Sequence, residues 1–541
     1  MTREMPPEGP APREDGALSR RDLLRASLGA GAGLAAVPLL GTTPAFASAR
    51  SGATASAGKL VIGAFEDGAI DVFKKVLPLF KQQTGISVQL LTAPYDSFNS
   101  KAFQDGQSKA GQYDIYIMDD PWIPQFAAAG ILEDLGQHGI TGDSGFAKPF
   151  IDLGYWPPRS GPRIKGFETK KPALVALPTI GDLQTMTYRN DVYKHAPKTW
   201  HELVTVGSAA MKAGKIDNAI VFRGVKGNPI VTSWYPIFLS YGGKFFDNNW
   251  KVTFNSAAGK AAAEFFVGKL KSLAPKGVAE YDSDQEGAAI LGGKAGAIIQ
   301  YTGNAIKSDD PAQTKEVGKL DFGVVPKQVK ALAQIGIFIH GVSASAPNKD
   351  NAITFMKWFA TDKAQLALAM AGDVPVRTAP LKNAKAVKAH RLLPTVLAQI
   401  NAGAEARPRT PDWGAVESIL GTELNKALVA GKGGGDALDR AAKQATAYLK
   451  RQGYYSGWRP SARPGRGCRE RGSIASCPTC CSPRPCCWCS PSSCTRSSRE
   501  CRRACGSTAS AAPSRMSAST STARRSTTPS SRARSGRRSS S

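Results

Sequence analysis

The chain has 541 residues, with 70 Lys and Arg against 43 Asp and Glu, for a net charge of +27. All ten cysteines fall at or after Cys468, which excludes a disulfide-stapled body and leaves the preceding residues to rely on core size. Residues Arg459 to Ser541 carry seventeen Arg, two Glu, and no Lys, Asp, Leu, Val, Phe or Tyr, so +15 of the charge sits in a segment with almost nothing to bury and +12 on the remainder.

In chain order, Ser19-Arg20-Arg21-Asp22-Leu23-Leu24 leads into an Ala- and Gly-rich apolar stretch from Ala26 to Leu40 and then into Ala45-Phe46-Ala47. A basic start, a weakly apolar middle and a small-x-small site describe a signal peptide over residues 1–47. The paired arginines point to the twin-arginine export route. Gly29, Gly31, Gly33 and Pro38 argue against an uncleaved membrane helix, and no Cys stands near the cleavage site to take a lipid. The expected mature protein begins near Ser48 and is periplasmic or extracellular, with no lipid anchor.

Lys59 to Gly63 reads as a buried strand. Residues 69–84 place Phe73, Val76, Leu77 and Phe80 at helical spacing, and Ile86 to Leu90 resume a strand, which makes a β-α-β unit. Pro78 implies a kink or break in that helix. Asp114 to Met118 is a third strand. It ends at Asp119-Asp120-Pro121-Trp122 before a helix from Ile123 to Gly130, which puts those side chains at the carboxyl edge of a sheet, where open α/β folds bind ligands. Residues 199–213 and 257–273 are amphipathic helices, and Ser233-Trp234-Tyr235-Pro236 precedes an apolar run. Residues 295–301 and 322–325 are further strands, 352–359 is a helix, and the last 40 or so residues before Trp458 are helical. The roughly 410 residues from Ser48 to Trp458 exceed one core and suit two lobes.

Several segments carry a family resemblance. Tyr113 to Ala127, with Gly130-Ile131-Leu132-Glu133-Asp134-Leu135 close behind, is similar to the first-lobe signature of the extracellular solute-binding proteins, family 1, which are the carbohydrate-binding components of ATP-powered importers. Pro178 to Tyr193, Pro197 to Trp200, Gly372 to Arg377 and Ala406 to Trp413 resemble later segments of the same family, in its maltose- and trehalose-binding branch. The resemblance implies an α/β, two-lobed periplasmic-binding-protein fold of type II whose lobes are joined by crossing hinge strands. It implies a first lobe from residues 58–175 and 328–372 and a second from 176–327 and 373–456. It further implies a monomer that binds a small-molecule carbohydrate and meets permease subunits in the membrane, without a cofactor, metal or nucleic acid.

Sugar hydroxyls are best read by fixed carboxylates and amides, and the C–H face of a sugar rests on aromatic rings. Glu66 and Asp67, just past the first strand, and Asp119 and Asp120, just past the third, are candidates for the first task. Trp122, Trp234, Tyr235, Tyr301 and Trp413 are candidates for the second, and Arg377 for a two-pronged donor. Each has a plainer alternative. Trp234 and Trp413 also suit a core, one of Asp119 and Asp120 suits a helix cap, Glu66 and Asp67 suit a solvated turn, and Tyr188 and Trp200 read as packing residues.

Rival activities find less support. An exported glycoside hydrolase would need two opposed carboxyls, but no segment resembles one. The five histidines are scattered, with no His-x-x-x-His pair for zinc. Gly431 to Asp436 lacks the Lys-Ser/Thr ending of a phosphate loop. A binder of an anionic solute such as glycerol phosphate remains as an alternative, with Arg377 as its natural contact. In the tail, Cys477 and Cys480 have no matching second pair, and an exported protein rarely meets the nucleic acid its Arg-Ser run would suit. Reading the codons of Cys486-Cys487-Trp488-Cys489 from each third base forces Leu-Leu-Val, and neighbouring codons permit a membrane-spanning pattern and a permease-like string. The tail is therefore expected to be disordered, and to result from a frameshift or mis-called stop that fuses the chain to a neighbouring permease gene.

Overall fold

The computed structural model describes residues 58–455. The expected signal peptide with its twin-arginine pair and the Arg459–Ser541 tail lie outside the described residues. Within the described residues the protein is a two-lobed α/β structure. The first sheet has five strands in the order Ser87–Ala93, Lys59–Phe65, Ile115–Asp119, Phe338–Val342, Leu177–Ile180. Its first three strands run parallel and Phe338–Val342 runs against both its neighbours. Leu60, Ile62, Ile115 and Ile117 are fully buried, because helices cover both faces of this parallel part. The second sheet is antiparallel, with Thr185–Arg189 between Ala297–Gln300 and Leu320–Gly323.

The helical run at 69–84 is two helices, Gly68–Lys74 and Leu77–Thr84, with Pro78 in the first turn of the second, where its missing N–H is no loss. Thr199 caps Trp200–Lys212 by accepting from Glu202 N at 3.1 Å. The run at 257–273 begins as an α-helix, Ala257–Glu264, and loosens into a π-turn, Phe265–Leu270, before a last 3-10 turn. The apolar run near Trp234 is itself helical, Asn228–Ser240, and is buried on nearly every face. An all-round apolar helix shows no amphipathic stripe to read from sequence.

Two large cores separate the lobes. One gathers Leu60 to Leu183, Ile335 to Phe359, and then Leu368, Val376, Leu381, Leu393 and Val396. The other gathers residues between Met186 and Val278, then Ala297, Ile299, Val325 and Ala333, and the helices Trp413–Ala430 and Gly434–Arg451. The expected lobe limits shift accordingly. Residues 176–183 belong to the first core, and so does the helical stretch around 374–396, because Val376, Leu381 and Val396 join its cluster of buried side chains. Residues 331–333 lie with the second core.

The chain therefore crosses between cores near 184, near 334 and between 403 and 411. The crossings are bonded to one another. Leu183 bridges Ile335, Gly336 N donates to Asp182 O at 3.0 Å, and Ala333-Gln334 pairs in parallel with Ala404-Glu405.

One close approach shapes the second lobe. Gly421, inside the helix Trp413–Ala430, lies against Gly227, so that a Cβ on Gly421 would stand 2.2 Å from Gly227 O, while a Cβ on Gly414 meets nothing within 4 Å. Gly421→Ala should therefore destabilise by about 1–3 kcal/mol, whereas Gly414→Ala should be neutral or stabilising by up to about 1 kcal/mol. Urea unfolding of both variants checks this, and equal effects would show that the contact with Gly227 is unimportant.

Candidate functional site

A cavity of about 840 Å³ opens between the lobes. The first-lobe wall is built from the carboxyl ends of the three parallel strands. Phe65 ends Lys59–Phe65 and Glu66 and Asp67 follow it, Tyr95 comes just after Ser87–Ala93, and Asp119 ends Ile115–Asp119 with Trp122 beyond it. The strand order makes these ends neighbours, as expected at the edge of an open parallel sheet. Asp67 and Asp119 are caps, accepting from Ala69 N at 2.8 Å and Asp120 N at 2.9 Å, which fixes each carboxylate at a helix start. The rings of Phe65, Tyr95 and Trp122 pack together with centroids 4.7–5.4 Å apart.

The second-lobe wall is made largely of helix N-termini. Asn228 opens Asn228–Ser240, Asp282 caps Ser283–Leu291, and Trp413 opens Trp413–Ala430. Their dipoles put partial positive charge on this wall, although Ser283 N and Trp413 N are already taken by Asp282 and by Thr410 O and Pro229 has no N–H. Arg223 reaches Ser283 Oγ at 3.2 Å and lies 3.6 Å from Asp282, and Asn228 Nδ2 donates to Glu417 at 3.1 Å. The floor is formed by the crossing segments, with Asp182, Gly336 and Arg407. Tyr301 lies flat against the crossing at Gly336, where a Cβ would stand 2.4 Å from its ring, so only glycine fits.

Arg407 is the central ion of the floor. Only 3% exposed, it forks onto both carboxylate oxygens of Asp119 and also bonds Asp120. Arg409 beside it holds the carbonyls of Asp120 and Leu153 at 2.9 and 2.6 Å. Burial alone would lower the Arg407 guanidinium, but Asp119 and Asp120 outweigh it and raise it well above the ordinary value, so it stays charged. Burial pushes the Asp120 carboxyl up while Arg407 pulls it down. Asp182 is pushed up to about 7, chiefly by burial and further by Asp67 and Asp119, although Thr302 donates to it twice at 2.8 Å. Burial also raises Asp67 and Glu417.

Of the residues singled out in the sequence, Glu66, Asp67, Asp119, Trp122, Tyr301 and Trp413 line this cleft. Four do not. Asp120 is fully buried behind Asp119, held by Arg407. Trp234 is fully buried in the second core, its ring 4.4 Å from that of Phe238. Tyr235 faces the far side of the hinge, donating to Ala406 O at 2.9 Å. Arg377 sits on the outside of the first lobe over Phe146, and its charge is spent on Asp143 and Asp362. The anionic-solute alternative thereby loses the cation it relied on. Tyr188 and Trp200 are buried packing residues.

The sequence reading missed Tyr95, Asp182, Arg223, Asn228, Arg407 and Glu417. Tyr95 obeys the rule that found Glu66 and Asp119, since it follows a strand of the same sheet. Arg407 and Asp182 stand inside segments already marked by the family resemblance. Arg223, Asn228 and Glu417 meet only through tertiary packing and carry no local signal.

The model of the bacterial extracellular solute-binding proteins matches residues 64–366, more than half of the chain. The chain belongs to that family. It is 26% identical over 437 residues to the probable amino-acid ABC transporter periplasmic-binding protein y4oP of Sinorhizobium fredii, covering 78% of this chain and 98% of the relative. Among solved structures, a solute-binding protein of Agrobacterium radiobacter K84 in complex with ribitol superposes with a TM-score of 0.63 at 24% identity, covering 73% of this chain and 99% of that one. A maltose-bound T. maritima protein superposes at 0.64 and 23% identity, covering 73% of this chain and all of the other. These similarities establish the two-lobed fold of this solute-binding protein. No helix among the described residues is long and apolar enough to cross a membrane, and no cluster of His, Cys, Asp and Glu there is arranged to hold a metal ion.

Two outcomes follow from the floor. Arg407→Ala leaves Asp119 and Asp120 without their counter-ion and should cost about 3–5 kcal/mol in urea unfolding; a loss under 1 kcal/mol would show that the fork is not a structural tie. Asp182 keeps its proton up to about pH 7 in the native protein but releases it near 3.8 when unfolded. The native state therefore binds more protons across that interval, and stability falls as pH rises through it, by about 1.4 kcal/mol per unit of displacement at most. The melting temperature of the protein relative to that of Asp182→Asn should drop between pH 4 and 7, and a flat difference would contradict the assignment.

Proposed function

We propose that this solute-binding protein captures a sugar, oligosaccharide or polyol in the interlobe cleft, closes around it, and delivers it to the permease subunits of an ATP-powered importer without transforming it. The observation that carries the reading is the pairing of two unlike walls, carboxylates at strand ends facing helix N-termini, across a cavity large enough for a small saccharide. Fixed acceptors on one side and fixed donors on the other suit hydroxyl groups, which are both.

Closure follows from the same geometry. Among the described residues, no hydrogen bond or ion pair joins the front walls, Glu66 to Gln125 on one side and Arg223 to Asp282 on the other. Behind the hinge, by contrast, Trp250 Nε1 donates to Arg163 O at 3.0 Å. A solute that touches both walls is the missing front contact, and only such a solute shifts the balance between open and closed forms. The cleft presents seven carboxylates, Glu66, Asp67, Asp96, Asp119, Asp182, Asp282 and Glu417, against Arg223, Lys226 and the fully engaged Arg407, which disfavours a phosphorylated or carboxylated solute. The ribitol and maltose complexes among the structural neighbours are consistent with a polyhydroxylated guest.

We also propose export by the twin-arginine route with cleavage near Ser48, action outside the cytoplasm as a monomer, and no role for residues 459–541. Mass spectrometry of the exported protein and the DNA sequence around Trp458 test these points.

A thermal-shift panel of sugars, polyols, glycerol phosphate and amino acids should raise the melting temperature with one polyhydroxylated class, as a ligand of the native state must. Stabilisation by glycerol phosphate alone, or turnover of a glycoside, would remove the reading. In the same assay Glu417→Gln and Asn228→Ala should each weaken the stabilising solute about tenfold or more, and unchanged affinity in both would place the solute elsewhere.

A further inference from the structure

The charges of the two walls are unequal. On the second lobe Arg223 and Lys226 stand with Asp282 and Glu417, so that side is close to balance. On the first lobe and floor, Glu66, Asp67, Asp96, Asp119 and Asp182 share only Arg407, and Arg407 is already occupied by Asp119 and the buried Asp120. Asp67 and Asp182 each spend one oxygen on the backbone or a hydroxyl, Ala69 N for the former and Thr302 for the latter, and neither second oxygen has a hydrogen-bond partner among the described residues. Both carboxyls line the same cavity, where Asp67 raises the pKa of Asp182 and Asp119 raises both. Lys307 eases Asp67 only from beyond ion-pair distance. Across the cleft, Trp413 is 1% exposed and lines the cavity, and its indole Nε1 lies near Glu417 without a properly aligned acceptor.

We propose that the guest carries an ammonium group beside its hydroxyls, an amino sugar or amino polyol, with the ammonium seated between Asp67 and Asp182 and the hydroxyls turned toward Asn228, Trp413 and the helix N-termini of the second lobe. This rests on the interlobe cleft being the binding site. Closure over a neutral sugar would strip water from several like-charged carboxylates with no cation to replace it, a large cost. An ammonium supplies the opposite charge and three donors at that point, and its charge favours release of the proton that Asp182 otherwise holds, which leaves an acceptor oxygen on each of the two groups. The same charge makes the first wall a trap for approaching cations and repels anions.

The test is a set of matched solutes titrated calorimetrically into the protein. The set is glucosamine, glucose and N-acetylglucosamine, then 1-amino-1-deoxysorbitol and sorbitol, with calcium chloride as a separate arm. The amine of a set should bind about tenfold or more tighter than its hydroxyl and acetylated partners. Asp67→Asn and Asp182→Asn should each narrow that preference to about twofold, by weakening the amine more than its neutral partner; an unchanged ratio of the two affinities in both variants would overturn the seat. Both variants are isosteric, and their unliganded melting curves report whether they fold; if one does not, the other carries the comparison. Neutral members binding as tightly as amines would overturn the ammonium seat and leave the carbohydrate reading intact. No response to any member would overturn both, and calcium alone binding at Asp67 and Asp182 would replace the ammonium with a metal ion.

Discussion

Arg407 lies almost wholly buried where the last crossing segment meets the carboxyl edge of the five-stranded sheet, and the cleft depends on what it does there. Two carboxylates from the end of one strand, Asp119 and Asp120, come together under the cavity, an arrangement that like charges cannot sustain unaided. The fork of Arg407 neutralises them and, because it comes from the segment that leads into the second lobe, also fixes that segment to the first lobe's sheet. Arg409 repeats the tie through the carbonyls of Asp120 and Leu153. A buried pair of this kind is weak evidence of net stability but strong evidence of a fixed position, since breaking either partner leaves an uncompensated charge. The hinge is thus anchored on one side, and the second lobe's helix starts are presented at a set place opposite the strand ends.

From that anchor the division of labour follows. Strand ends give the first wall acceptors whose direction is set by helix capping, as with Asp67 and Asp119. Helix N-termini give the second wall the positive ends of their dipoles, with Arg223 and Asn228 as its side-chain donors. Small residues allow the close approaches. Gly336 accepts the ring of Tyr301 against a crossing strand, and Gly421 accepts Gly227 at the second wall. The cavity sits in the gap between two separate cores, the arrangement that rigid-body closure requires.

Much of this was legible in the chain. The strands at 59–63 and 114–118 are short apolar runs bounded by turn residues, so the side chains after them could be placed at a sheet edge without knowing the rest. Six of the ten residues named from sequence line the cleft for that reason or through the family resemblance. The failures have physical causes. Trp234 and Tyr235 lie in a helix apolar on all faces, where sequence does not tell a core position from a wall. Arg377 was judged by its capacity to donate, yet Asp143 and Asp362, 234 and 15 residues away, had already taken its charge. Asp119 and Asp120 look equivalent in the chain and both meet Arg407, yet Asp119 at the strand end also lines the cleft, whereas Asp120 in the turn after it is wholly buried. The lobe limits slipped because packing of Val376, Leu381 and Val396 decides membership, and no local pattern announces which of two cores a helix will join.

The central claim is that a guest joins two walls that do not otherwise touch at the front. Small-angle X-ray scattering of the protein with and without its stabilising solute measures this directly. The account predicts a smaller radius of gyration and a shorter maximum dimension on saturation, with the change lost in a variant whose second-wall contacts at Asn228 and Glu417 are removed. A solute that saturates the protein while the scattering curve stays the same would contradict it.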